Sequence, residues 1–492
     1  MPSSISKDSV TLMLGRSLAF VISLLAPLFL VRFFSVSEYG EYRQIMLLIV
    51  SATPILAFGM KVSLFYFFPH YPEEKDIYLS RTIAIISMTS ITFLLLLCIF
   101  NNNIAVFFGN VNFIYYSPLI GIATLFLSLS LIIETVTIVD KNVLLSAKIL
   151  TASRLARAVI VITTAFYWGV SALLCGLIFL FLVKTILSFW YFINKYKINF
   201  KKIQFYRSAD HFKYAIPFAL GGIFSMLVEH SDKYILSHFF GPELFAIYTI
   251  GFYQSPFNTI VFQSIGDVIL PRIVELKAKN NIKGIVKLWH VAIEKSFLLG
   301  FPLFMFCFVF SDDIILTLFT EKYIAAIPIF RIASIIILLQ STRYGIMSRA
   351  FAKTWFSFGA SFVSFAVMLP LCIFAIQKFG VIGAAWAVII GKVINVVSEL
   401  LFAKYLLSLG WSNFFPFIKT GLIGLLSIFC VLPVYLLAPY LQNFNQWIKI
   451  ITIFSIFVTS YIYCTNHLKL WNTDALPISD KQKNYLKKVF LI

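Results

Sequence analysis

The 492-residue chain is 60% hydrophobic and only 12% charged, with 54 Phe and a formal net charge of +19, whereas a soluble globular chain carries about 25% charged residues. This balance excludes an ordinary soluble enzyme and predicts an all-α polytopic membrane protein, its surplus of cations facing anionic headgroups; nothing in the pattern points to nucleic acid. The six Cys, at 98, 175, 307, 372, 430 and 464, stand singly in apolar segments without metal or redox spacing, so they read as packing residues and no metal or cofactor is expected.

Apolar runs long enough to cross ~30 Å of hydrocarbon at 1.5 Å per residue recur from end to end. After a short polar start, "MPSSISKDSV", the first covers 12–34 and reads as a retained helix, because no small-residue cleavage site follows it. Next come 43–68, 80–100, 114–137, 147–167, 170–193 and 213–238. Seven more follow, at 246–270, 288–310, 325–345, 355–376, 380–403, 417–438 and 446–466, giving about fourteen. No connecting loop exceeds about twenty residues, so no soluble domain is inserted, which counts against an enzyme. With the N-terminus inside, 29 Lys and Arg lie on the cytoplasmic side and five outside, the positive-inside bias with both termini cytoplasmic.

The chain also repeats itself. "LVRFFSVSEYGEY" (30–42) returns as "LSHFFGPELFAIY" (236–248), and the "GVSALLCG…" segment from 169 returns as "GVIGAAWAVIIGK…" from 380. The offset of about 206–211 residues is six helices, an even number, so the halves enter the membrane in the same sense, as parallel repeats. The expected organisation is a six-helix lobe at 1–193, a basic cytoplasmic linker at 194–213 and a second six-helix lobe at 214–405. Two extra helices at 406–468 and a basic cytoplasmic tail at 469–492 complete it. Two parallel lobes without a soluble domain suggest a transporter with its path along the pseudo-symmetry axis.

Six cations sit at membrane depth: Lys61, Lys184, Lys233, Lys295, Arg331 and Lys392. In the seventh span, "MLVEHSDKYIL" (226–236) adds Glu229 and Asp232 beside Lys233. Asp and Lys cost roughly 2.5–3.5 kcal/mol each at a helix centre, against about 0.3–0.6 gained per Leu, Ile, Phe or Val. Those charges therefore cannot face lipid cheaply. At 100° per residue they fall on one stripe with Gly222 and Ser225, as expected for a helix bordering a wet cavity or packing tightly on a neighbour. Two readings stand: Glu229 and Lys233 neutralise each other as an i,i+4 pair, with Asp232 pinning a helix end or turn near the outer interface, or Asp232, with Glu229, binds a coupling ion. Asp267 in the eighth span is carried as a further coupling carboxylate.

The segments "LVRFFSVSEYGEY", "AFGMKVSLFYFFPHYP" (57–72), the stretch 214–248, "LFTEKYIAAIPIFRI" (318–332) and "FGVIGAAWAVIIGKV" (379–393) together resemble one family over residues 12–405. It is the polysaccharide-transporter branch of the multidrug/oligosaccharidyl-lipid/polysaccharide exporter superfamily, which includes Wzx-type flippases of O-antigen and capsule assembly in the bacterial inner membrane. The resemblance implies a V-shaped pair of lobes around a cavity lined by helices 1, 2, 7 and 8, working by alternating access. The implied cargo is a polyprenyl-pyrophosphate-linked oligosaccharide moved from the cytoplasmic to the outer leaflet. A coupling proton or sodium ion, membrane lipids, and polysaccharide polymerase and chain-length proteins are the partners to consider.

A pyrophosphate needs cations in transit. The candidates are Arg16, Lys61, Arg154 and Arg157, Lys184, Lys233 and Lys392. Each has a bland alternative: Arg16, Arg154 and Arg157 lie near a helix end and can snorkel to headgroups, and Lys295 has Glu294 beside it for a local ion pair. Rival functions are a multidrug exporter of the same superfamily, whose cavity should be acidic, and a lipid II flippase, for which a dense basic patch in helix 1 is missing. A membrane polymerase or glycosyltransferase should carry acidic or His residues on outer loops.

Overall fold

The computed structural model describes residues 26–198, 209–253, 256–468 and 470. Every regular element among them is helical. Eleven helical stretches are long and apolar enough to cross a membrane. The fourteen spans read from sequence are not reached by that measure, for identifiable reasons. The first expected span lies mostly outside the described residues, and the eighth, expected at 246–270, includes 254–255, which also lie outside them. The eleventh and twelfth run together in one 53-residue helix.

The chain divides into two compact units, Met1–Thr249 and Ile250–Ile492. In the first, helix α1 (26–33) turns into α2 (Val36–Leu56). Ser35 caps α2 in a capping box: its hydroxyl accepts from the Glu38 amide, and the Glu38 carboxylate accepts from the Ser35 amide at 2.8 Å. Phe58 and Gly59, both at positive φ, separate α2 from α3 (Met60–His70). There follow α4 (Lys75–Ile99), a short α5 (Asn101–Phe107), α6 (Phe113–Ser130), a short α7 (Ile132–Val139) and the long α8 (Val143–Tyr196). The next helix, α9 (Ala209–Gly251), turns back on itself at Gly241.

The second unit continues with α10 (Pro256–Ala278), α11 (Ile282–Val309), a short α12 (Ser311–Phe319), α13 (Ile327–Ser341), a short α14 (Ile346–Ala350) and the long α15 (Thr354–Leu406). Its order from α11 to α15 thus repeats that from α4 to α8, long, short, long, short, hairpin, so the duplication seen in sequence is present in the architecture. The closing hairpins share a turn: Gly169 in α8 (φ 77°, ψ −161°) and Gly380 in α15 (φ 61°, ψ −145°) occupy a region essentially reserved for glycine. In α15 the arms run antiparallel: Ser364 donates to the Gly391 carbonyl at 2.6 Å, Asn395 to Ser361 at 3.1 Å, and Ser357 to Glu399 at 2.5 Å. Helices α16 (Phe417–Leu437) and α17 (Gln446–His467) stand outside the duplication. Helix α17 packs on α11 through Tyr461, which donates to the Leu298 carbonyl, and through Phe457 stacked on Phe306, while α16 meets α11 where Gly424 faces the Phe301 ring.

Because lipid is as apolar as the side chains, helices associate in it through close packing and interhelical hydrogen bonds. At one end of the first unit, Asp140, just after α7, binds Lys75 of α4 at 2.9 Å and Lys195 of α8 at 2.6 Å, and accepts from the Tyr196 hydroxyl. Burial pushes the Asp140 carboxyl up, but those three donors outweigh it and hold the group below the usual carboxylate range. Beside this clamp, Phe67 stacks on Tyr78 and meets His211 of α9 edge-on.

Candidate functional site

Helix α9 is held against α2 and α3 at both of its ends. Near Gly241, Gln44 of α2 donates to Ser237 at 2.7 Å and to the Phe108 carbonyl at 2.9 Å, while Asn110 donates to Gln44 at 3.2 Å. The Ser51 and Tyr234 hydroxyls also meet. At the opposite end Ser63 and His211 hydrogen-bond at 2.5 Å, and a Cβ on Gly59 would lie 2.2 Å from the Ala215 carbonyl oxygen. Only glycine permits that approach. Between these attachments no residue from 220 to 230 is buried, and nothing lies within 4 Å of where side chains on Gly221 and Gly222 would begin. The middle of α9 is therefore the loosely packed part of a helix pinned at its ends.

The charges of "MLVEHSDKYIL" follow from that placement. Asp232 is 4% exposed, and its Oδ2 accepts from the Tyr248 hydroxyl at 2.7 Å, across the turn at Gly241. Its Oδ1 lies 3.5 Å from the Lys233 ammonium, which donates to the backbone carbonyl of Glu229 at 2.9 Å. The expected Glu229–Lys233 ion pair is thus corrected: Lys233 reaches the main chain of Glu229 and the carboxylate of Asp232, and the Glu229 residue is exposed. The i,i+4 spacing allowed the pair, but a carboxylate fixed by Tyr248 lay closer.

Two neighbouring cavities in the first unit collect the cations. One, of about 440 Å³, is walled by α2, α3, α6, α7 and both arms of α8 and is lined by Lys61, Arg154, Arg157, Lys184 and Glu134. The other, of about 280 Å³, is lined by Arg43, Arg154, Arg157, His230 and Lys233. Val50, Arg154 and Arg157 border both. Arg154 and Arg157 reach the same space because residues three apart share a helix face. Lys184 is neutralised by Glu134 at 2.6 Å. Lys61 and Arg154 make no hydrogen bond or ion pair with any described residue, and Arg157 donates to the Met46 sulfur at 3.2 Å. Four cations against one carboxylate leave the larger cavity with a formal surplus of three positive charges. Its volume is ordinary for a ligand site. Chemically, such a site can take a multiply charged anion through charge-assisted hydrogen bonds.

Of the residues singled out in sequence, Lys61, Arg154, Arg157, Lys184 and Lys233 are thus gathered on these walls. Arg16 lies outside the described residues, Asp267 falls in α10, and Lys392 is exposed on α15, the last two in the second unit. The Lys295–Glu294 pair is also corrected: Glu294 binds Lys419 at 3.0 Å, and Lys295 donates to the Leu470 carbonyl at 2.9 Å. Adjacent residues on a helix point about 100° apart, so each turns to a different neighbour. Arg331, unassigned in sequence, binds Asp312 and Ser311. Glu399 accepts from Ser348 and Ser357. Sequence reasoning missed Glu134, Arg43 and His230. Glu134 sits three residues after Leu131 on the cavity wall, and its position in an otherwise apolar run was the available signal.

A sequence profile described as "Polysaccharide biosynthesis protein" matches residues 29–328, more than half of the chain. A probable low-salt glycan biosynthesis flippase, Agl15, of Haloferax volcanii is 24% identical over 263 residues, 50% of this chain and 54% of that protein. Teichuronic acid biosynthesis protein TuaB of Bacillus subtilis is 24% identical over 208 residues, 40% and 42% of the two chains. The matched stretch spans about half the length of these curated relatives. Among solved structures, lipid II flippase MurJ in an inward closed conformation superposes with a TM-score of 0.71, covering 93% of this chain and 99% of that one at 18% identity, a likeness of fold. The family read from the sequence segments is therefore borne out: this chain belongs to the polysaccharide biosynthesis protein family, on a MurJ-like helical membrane fold.

Proposed function

We propose that the protein is a flippase that carries a polyprenyl-pyrophosphate-linked oligosaccharide from the cytoplasmic to the outer leaflet of the cytoplasmic membrane, for assembly of a surface polysaccharide such as O-antigen or capsule. The observation that carries this reading is the set of uncompensated cations, Lys61, Arg154 and Arg157, on the walls of the first unit's cavities. Unpaired cations at membrane depth are costly and suit an anion that must shed water in transit. The pyrophosphate would bridge Arg154 and Arg157, with Lys61 as a point charge, while the polyprenyl chain stays in lipid. The family and the flippases among the similar proteins support a carrier over a polymerase or glycosyltransferase. The basic lining speaks against a site for cationic drugs.

For coupling, Asp232 is the candidate. A buried carboxylate held by one hydroxyl and one distant ammonium can exchange a proton or sodium ion as its neighbours move, and its bond to Tyr248 ties together the two arms of α9 that meet at Gly241. The loosely packed middle of α9 is the segment suited to bend during alternating access.

The reading is tested in cells depleted of the protein. Lipid-linked repeat units should accumulate on the cytoplasmic face, identified by mass spectrometry, and the wild-type gene should clear them. Depletion that leaves their amount and leaflet unchanged would refute the flippase.

A further inference from the structure

A further cavity, in the second unit, lies far along the chain from the cation-lined pair. It has a volume of about 1080 Å³ and opens between the first half of α11 and the segment 409–419 that leads into α16. Lys283, Lys287, His290 and Glu294 follow one another at helical spacing on a single face of α11. Lys295 and Lys419 complete the charged lining. Glu294 is taken by Lys419 at 3.0 Å, and Lys295 is engaged with the Leu470 carbonyl. Lys283 and Lys287 are exposed and make no hydrogen bond or ion pair with any described residue.

The rest of the wall is apolar. Val286, Val291 and Phe415 form part of it, and Phe417 and Ile418, at the first turn of α16, are 53% and 89% exposed. This turn also carries backbone amides at the positive end of the α16 dipole. A lysine pair, a helix N-terminus and an apolar rim therefore converge where a span enters the bilayer. The lysine-rich loops mark this as the side of the membrane that carries most of the chain's positive charge.

We propose that this cavity binds the headgroup of an anionic phospholipid, its phosphate between Lys283 and Lys287 and its acyl chains along Phe417 and Ile418. A freely soluble phosphate would find the same cations but would have no use for the apolar rim; a phospholipid uses both. The occupant is a resident lipid that fixes α11 against α16, distinct from the transported cargo.

The test uses the full-length purified protein in detergent, titrated with phosphatidylglycerol, phosphatidylcholine or glycerol 3-phosphate and read by native mass spectrometry and thermal stability. Wild type should retain phosphatidylglycerol and gain melting temperature with it, and do neither with phosphatidylcholine. K283Q/K287Q should weaken phosphatidylglycerol binding by about 30-fold, since each lysine near an anionic lipid surface contributes roughly a factor of five. The folded state is checked by size-exclusion chromatography. If the double variant does not fold, K287Q alone should give about a five-fold loss. Retention of phosphatidylglycerol undiminished in a folded variant, no preference for it over phosphatidylcholine in wild type, or equally tight binding and competition by glycerol 3-phosphate would each overturn the lipid assignment.

Discussion

Replacing both Arg154 and Arg157 by Ala perturbs the arginine pair that the two cavities share. A hydrogen bond to a charged group contributes about 1.5–3 kcal/mol net. Two such contacts suggest roughly 3–6 kcal/mol, but the two guanidiniums are one helical turn apart and would grip the same anion, so their effects should not add fully. An expected loss of about 3 kcal/mol is roughly a hundred-fold in affinity for a polyprenyl-pyrophosphate-linked sugar, and each single variant should lose about 2 kcal/mol, roughly thirty-fold. Stability should move differently. In the unliganded protein Arg154 binds no described residue and Arg157 only a sulfur. Removing two like charges should leave the melting temperature unchanged or slightly higher. The assay is equilibrium binding of a fluorescent lipid-linked pyrophosphate in nanodiscs, beside its monophosphate counterpart, for which the loss should be smaller. Unchanged affinity in the double variant would refute the reasoning. So would a large fall in melting temperature, because the arginines would then be structural.

Asp232→Asn should keep the protein folded and inserted yet abolish export in a complementation assay, while Tyr248→Phe should lower it partially; normal export by the Asn variant would remove the coupling role. Gly59→Ala should cost at least about 1–2 kcal/mol from its positive φ alone, with more from the clash against the Ala215 carbonyl. Gly221→Ala, in open space on a helix, should instead raise thermal stability by up to about 1 kcal/mol, and should slow transport because the middle of α9 stiffens. For Asp140, whose folded-state pKa is depressed, the stabilisation is fully present above the unfolded value of about 3.9 and disappears as pH falls through the lower folded value. The stability gap between wild type and Asp140→Asn should therefore stay constant from about pH 8 to pH 5 and close below about pH 4, as followed by thermal unfolding.

What was legible in the sequence was the cost of charge in an apolar run. Lys61, Lys184 and Lys233 stood out for that reason and line the same pair of cavities with Arg154 and Arg157, which read as a same-face pair near a helix end; Lys295, Arg331 and Lys392 stood out equally and do not line them. Partner choice was not legible, because it is decided across the fold: Lys184 finds Glu134 fifty residues earlier, and Asp232 finds Tyr248 across a turn. The duplication was readable because a glycine-only backbone conformation recurs at Gly169 and Gly380. It did not reveal that the seventh span would pack with the first unit. That depends on Gln44 reaching Ser237 and on Gly40 and Gly59 accepting the backbone of α9, contacts between residues roughly 150–200 positions apart. At Gly380 a hairpin glycine joins the two spans read at 355–376 and 380–403 with no polar loop between them, so they run together in α15 as two arms.

Transport by the purified protein is the most direct measurement. In liposomes loaded on one leaflet with a polyprenyl-pyrophosphate-linked oligosaccharide, accessibility of the sugar to an impermeant glycosidase should spread to both leaflets with wild-type protein and remain one-sided with the Arg154→Ala/Arg157→Ala variant. One-sided accessibility with wild type, or equal redistribution by both proteins, would contradict the account.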